Sequence, residues 1–196
     1  MKIIVIGSTG TIGSAVVKAL AGHEVIGLHR TSTPAIDIEK PETIASAFAA
    51  IGKVDAVVSC TGTGGFAPLE KLTDADFEKS LRSKLMGQVN VIRRAIEHVN
   101  DNGSITVTSG SMAREPMTGG AAISMINAGV EGFVIGAAFE APRGIRINAV
   151  APPWITETLA AMKMDASKGQ PADAAAKVYA GVVTGSQRGQ IVDTRK

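Results

Sequence analysis

Two stretches of this chain hold residues whose types and spacing suit chemistry on phosphate groups. The first is Gly7-Ser8-Thr9-Gly10-Thr11-Ile12-Gly13, with a glycine at every third position. Such glycines let a chain turn sharply, bring backbone up to a pyrophosphate and pack a helix close on a strand. The second is His29-Arg30-Thr31-Ser32, one fixed cation, one titratable ring and two hydroxyls in a row. A guanidinium offers paired N–H donors to phosphate oxygens, so this set suits a phosphate monoester. The plainer alternative is an exposed arginine following a strand. The three histidines are scattered and there is one cysteine, so no metal-ligand spacing exists. Cys60 reads as the filler of a small core site at a strand end.

These residues need elements to hold them. Lys2 to Ile6 is a lysine followed by an unbroken apolar run that stops at Gly7, the pattern of a strand buried on both faces. Ile12, Val16, Val17 and Leu20 then recur at helical spacing up to Gly22, and Glu24 to Leu28 reads as a second strand. Strand, glycine turn, helix and strand make a dinucleotide-binding unit. In it the helix N-terminus, with its free N–H groups and positive dipole end, faces the phosphates. Gly7, Ser8, Thr9, Gly10, Thr11, Ile12 and Gly13 are therefore expected around a pyrophosphate.

Strand and helix patterns keep alternating. Ala35–Ile38 reads as a short strand, Pro41 opens a helix that Gly52 ends, and Val54–Ser59 is a strand running into the glycine-rich loop Thr61–Gly65. Thr73 or Asp74 can cap a long helix carrying Phe77, Leu81, Leu85, Val89, Ile92 and Ile96. Strands Ser104–Thr108 and Ile145–Val150 flank a small-residue helix from Gly120 to Glu140. An alanine-rich helix begins near Pro171, and Gln190–Val192 closes the series as a strand. The expectation is an α/β fold: one Rossmann-type domain over 1–196, a doubly wound parallel sheet between two helix layers. Ligands in such sheets sit beyond the carboxyl ends of the strands.

A chain of 196 residues can bury one sizeable core, and its formal charge of +2 comes from scattered residues, so no nucleic-acid surface is expected. Neither a signal peptide nor an apolar stretch long enough to span a bilayer is read here, and the single cysteine suits a reducing compartment. The cytoplasm is the expected location.

Four stretches resemble the short-chain dehydrogenase/reductase family. They are the glycine loop; Asp55–Gly62; the strand Gly103–Ser109; and Arg143-Gly144-Ile145-Arg146-Ile147-Asn148-Ala149-Val150-Ala151-Pro152, the most specific of the four. The three-residue glycine spacing is nearer the family's extended and atypical branches. The resemblance implies a nicotinamide dinucleotide with Thr61, Gly62, Pro152 and Ile155 at its reactive end and Asp37 beside its adenine. A strand-end turn is the alternative role for Asp37. His29-Arg30-Thr31-Ser32 stands where an NAD-preferring chain usually carries an acid, so NADP (NADPH) is expected and NAD less so.

The family's Tyr-x-x-x-Lys pair is missing. Its positions hold Ile123 and Asn127, and the chain's one tyrosine, Tyr179, has Val183 four residues on. The resemblance therefore points to a subgroup that keeps the fold and the cofactor loop without the usual acid. Lys84 stands at the family's asparagine position, while Ser109 and Ser111 flank its serine position at Gly110. Lys84, Ser109 and Ser111 are the candidate catalytic residues: the lysine for the ribose or a substrate oxygen, the serines for a carbonyl. A solvent-exposed lysine is the alternative for Lys84. Trp154 is expected to cover the cofactor or pack under a lid. Two functions follow: an NADP(H)-dependent oxidoreductase acting on an unidentified small carbonyl or alcohol, or a non-catalytic NADP(H)-sensing module.

Only Glu131 is charged between Gly120 and Glu140, so no side of that helix suits water. A homo-oligomer, a dimer or tetramer built on a two-fold, is expected to cover it.

Overall fold

In a computed structural model, which describes all 196 residues, the apolar runs become the strands of one sheet. The first half of the chain forms β1 (Lys2–Ile6), α1 (Thr11–Ala19), β2 (Glu24–Leu28), α2 (Pro41–Ile51), β3 (Val54–Ser59), α3 (Asp74–Ser80) and α4 (Gly87–Ala95). The second half forms β4 (Val99–Thr108), α5 (Ala121–Glu140), β5 (Arg146–Ala151), α6 (Thr156–Ala161), α7 (Ala172–Thr184) and β6 (Ile191–Asp193). All strand pairs are parallel, in the order β2-β1-β3-β4-β5-β6. The chain leaves β1 for one edge and resumes with β3 on the other side, so the order reverses between β1 and β3. The crevice beyond those two strand ends is where such sheets bind ligands.

Alternation along β1 divides the interior. Ile4 and Ile6 join Phe48, Val57, Val91, Ile105, Val130 and Ile147 in the layer under α2, α4 and α5. Ile3 and Val5 join Val16, Leu20, Val58, Val150 and Tyr179 in the layer under α1 and α7. Both faces are covered by helices, which is why the strands carry so few polar residues. The doubly wound, three-layered sheet stands as expected.

Three local expectations differ in the structure. Ala35–Ile38 is extended but not a strand; Ile36 N–H donates to His29 O at 3.0 Å, and no ladder follows. Buried Ile36 and Ile38 alternate with their more exposed neighbours, which mimics a strand without a partner for it. The long helix is not one α-helix, because Leu81–Met86 between α3 and α4 takes wider π-type turns. Thr73 is its cap, in a reciprocal capping box with Asp76. Residues 156–161 also form the short helix α6, which apolar periodicity is too brief to reveal. Finally, α5 is long and apolar enough to cross a membrane by length and composition. Alanine and glycine make up that length, and Ala122, Ile126, Val130, Val134 and Ala138 bury one face of it in this fold.

Candidate functional site

The glycine loop joins β1 to α1 as its spacing predicts. Gly7 has φ +80°, and a Cβ on it would lie 2.5 Å from Thr61 Cγ2 and 2.9 Å from Cys60 O. A Cβ on Gly13 would lie 2.0 Å from Gly7 O, so only glycine lets α1 pack onto the loop. Gly10 caps α1 without a side-chain bond, and the first turn carries no acid. The first amides of α1 therefore stay free, in a positive dipole end with no competing carboxylate. A helix end of this kind suits a phosphate group.

The loop opens on a crevice of two compartments that share Cys60, Thr61, Gly62 and Thr63 as a common wall. The rear one, about 560 Å³, takes in Gly7, Thr9, Gly10, His29, Arg30 and Asp37. Arg30 is exposed there and makes no ion pair. Lys79 of α3 lines the same compartment, a second cation that helical patterning could not flag because it lies far along the chain. Asp37 stands on the wall while its Oδ1 accepts from Glu39 N at 3.1 Å, so its turn role and its wall position coexist.

Ser8, Thr11, Thr31 and Ser32, expected at the cofactor, line neither compartment. Ser32 Oγ accepts from His29 N at 2.9 Å and lies 2.8 Å from His29 O and 2.6 Å from Pro34 O. Its hydroxyl is spent on shaping the turn. Thr31 N and Oγ1 lie 3.3 and 3.1 Å from His29 Nδ1. Ser8 Oγ donates to Leu28 O at 3.3 Å, holding the loop against the end of β2. Thr11 is the exposed first residue of α1.

The front compartment, about 360 Å³, brings together Ile12, Lys84, Ser109, Ser111, Pro152 and Ile155. Phe66, Met112, Ile123 and Trp154 give it apolar walls. Phe66 and Trp154 meet edge to face at 5.4 Å, and Trp154 Nε1 donates to Met117 Sδ at 2.9 Å, so the tryptophan ties two loops together at the mouth. Gln88, fully buried, donates through Nε2 to Thr61 O at 2.9 Å and to Thr108 O at 3.2 Å. It fixes the ends of β3 and β4 where the compartments join, a long-range bond without a sequence signature.

Lys84 is half-buried rather than solvent-exposed, and its Nζ donates to Ser109 O at 2.9 Å. Burial lowers its ammonium to about 8, against an opposing pull from the Glu131 carboxylate. Ser109 Oγ is turned to Glu131 Oε1 at 2.8 Å, and Arg114 holds the other oxygen of that carboxylate. Asn127 is 1% exposed with Oδ1 unpartnered. Its Nδ2 lies where a side chain on Gly110 would collide, 2.7 Å from the place of a Cβ. Cys60 stands on the shared wall with its thiol pushed up to about 12 by burial. Tyr179 is buried under the sheet and does not line either compartment.

Residues 12–190 match the family model described as enoyl-(acyl carrier protein) reductase. Hydroxynaphthalene reductase arp2 of Aspergillus fumigatus is 32% identical over 105 residues, 53% of this chain and 38% of that protein. Acetoacetyl-CoA reductase of Cupriavidus necator is 28% identical over 119 residues, 59% of this chain and 48% of that protein. The matched stretch thus spans less than half of either relative. Among solved structures, protein lin1944 of Listeria innocua is similar with a TM-score of 0.93 and 38% identity, covering 98% of each chain. A small-chain dehydrogenase in complex with NADPH has the same fold at a TM-score of 0.85 and 23% identity, covering 98% of this chain and 95% of that one. With the glycine cradle, the sheet order and the family match in agreement, the chain belongs to the short-chain dehydrogenase/reductase family.

Proposed function

We propose that the protein binds NADP(H) across the two compartments and interconverts a small carbonyl compound and its alcohol. One observation carries this reading: the uncapped α1 N-terminus and its glycine cradle open on a compartment with an unpaired arginine, which continues into an apolar cavity with a polar floor. In this assignment Gly7–Gly13 hold the pyrophosphate, while His29 and Arg30 face the 2′-phosphate and Asp37 lies beside the adenine. Thr61 and Gly62 line the passage, and Pro152 and Ile155 flank the nicotinamide. When bound, the reduced nicotinamide supplies a hydride. A structural neighbour from Burkholderia cenocepacia also holds NADP, which accords with a 2′-phosphate rather than a bare ribose.

The chain is assigned to a branch of the family without Tyr-x-x-x-Lys, since Ile123 and Asn127 line the cavity and its one tyrosine is in the core. That same absence favours the second reading, a non-catalytic NADP(H)-sensing module. The protein is further assigned a two-fold dimer on the outer face of α5 and the helix beside it. Met125, Ile135 and Phe139 stand 41%, 55% and 90% exposed there, and Leu81 and Met86 stand 38% and 44% exposed on the neighbour.

Binding and turnover measured together decide between the readings. NADPH binding with carbonyl-dependent NADPH oxidation, over a panel of aldehydes, ketones and quinones, is the expected result. Binding without turnover across the panel selects the sensing module, and no binding of NADPH or NADH defeats both.

A further inference from the structure

Resting on that reading, we propose that Lys84 is the residue that gives the proton to the substrate oxygen in the front cavity. Of the groups facing the cavity, Cys60 holds its proton too tightly and Ser109 has its hydroxyl turned to Glu131. Ser111 and the threonines Thr61, Thr63, Thr108 and Thr158 line the cavity without a base to assist them, and Tyr179 lies in the core. Lys84 remains. One of its three N–H bonds is fixed on Ser109 O at 2.9 Å, which orients the ammonium and leaves two donors.

The local backbone is built around that placement. Lys84 lies inside the π-type stretch Leu81–Met86, and such wide turns inside helices frequently mark functional sites. A Cβ on Gly62, at φ +102°, would sit 2.8 Å from Lys84 Cα, so glycine alone lets the helix come this close to the loop after β3. Asn127 lines the same cavity, 1% exposed and with its Oδ1 unpartnered. The walls of Phe66, Met112, Ile123 and Trp154 then restrict the substrate to a small, largely apolar aldehyde or ketone.

The charges around Lys84 are few. Glu131 faces it from α5, with Arg114 behind the carboxylate on the loop after β4. On its own helix, Arg82 is paired with Glu39, and Asp76 and Lys79 lie further toward the N-terminus. Glu157, in the first turn of α6, is turned to Ala172 N at 3.1 Å. Burial against the apolar walls outweighs Glu131, and the ammonium falls to about 8, where it can release a proton near neutrality. As the carbonyl carbon takes a hydride, the π pair moves to oxygen and takes a proton from Nζ. One C–H and one O–H bond form; the carbonyl π bond, one N–H bond of Lys84 and the C–H bond of the NADPH that gives the hydride break. The carbonyl is thus reduced by two electrons, NADPH is oxidised to NADP, and the neutral amine recovers its proton from solvent.

Two experiments test this. The first is trace acetylation of the native protein with acetic anhydride across pH, read by mass spectrometry at Lys84. A midpoint near 8 and protection by NADP are expected; a midpoint like that of the surface lysines, or no protection, overturns the proposal. The second assays NADPH oxidation with 2,3-butanedione and benzaldehyde. Lys84→Met is expected to lose ~10²-fold or more in rate while NADPH binding persists. Lys84→Arg keeps the charge but not a transferable proton, so it is expected to fail likewise. Native-like turnover by Lys84→Arg, or no turnover by the native protein, overturns the assignment. Failure of the native protein to bind NADPH defeats the reading beneath it instead.

Discussion

The hydroxyls of Thr108 and Tyr179 lie 2.7 Å apart at the end of β4. Thr108 Oγ1 donates onward to Ser59 O at 2.7 Å, so the phenol is the donor to Thr108. Burial pushes the phenol well above its ordinary range, and it keeps its proton. This fixes the chain's only tyrosine as a core group that ties α7 to two strands. Tyr179→Phe removes one buried hydrogen bond and is expected to lower stability by about 1 kcal/mol in urea unfolding. NADPH affinity should stay as in the native protein, and a large drop would show that Tyr179 belongs to the site.

The dimer prediction rests on Ile135 and Phe139, which lie one helical turn apart on α5 at 55% and 90% exposure. A water-facing helix does not ordinarily present a phenylalanine and an isoleucine on adjacent turns amid alanine and glycine. Light scattering should return a dimeric or tetrameric mass for the native chain. The double variant Ile135→Glu, Phe139→Glu should be monomeric with its fold intact. A native monomer at micromolar concentration removes the interface.

Acid sensitivity is expected at the C-terminal tail. Arg195 lies between Asp193, at 2.6 Å, and Glu115, reached at 2.6 and 2.9 Å, and so clamps the tail to the loop that lines the front cavity. The guanidinium lowers Asp193 to about 2, below the ordinary aspartate near ~4. A carboxylate with a depressed folded-state pKa adds stability above its unfolded value and loses it as pH falls through the folded one. The loss should therefore run from about pH 4 to about pH 2. In Arg195→Ala, melting temperature should fall less steeply across that window than in the native chain. Parallel slopes would show that the clamp contributes nothing.

What the residues reveal on their own, and what they hide, follows from range. The sheet is legible because each strand is a short apolar run ended by a glycine or a turn, and Gly7–Gly13 is legible because its task is local. Ala35–Ile38 misleads, since alternating burial looks the same with or without a pairing strand. The π-type turns at Leu81–Met86 are invisible to apolar spacing, although they set where Lys84 points. Ser109 reads as a group for the carbonyl until Glu131, a contact made 22 residues on, takes its hydroxyl. Lys79 and Gln88 reach the crevice only through the fold, and their spacing along the helix does not mark them.

The central claim is that one dinucleotide with a 2′-phosphate spans both compartments, and calorimetric titration tests it most directly. Charge-assisted contacts to phosphate are worth ~1.5–3 kcal/mol, about ten- to a hundredfold in affinity. NADPH should therefore bind at one site per chain, tighter than NADH by about that factor. Arg30→Glu should abolish or reverse the preference. Equal affinities for the two dinucleotides, or an Arg30→Glu variant that binds NADPH as the native protein does, would contradict the account.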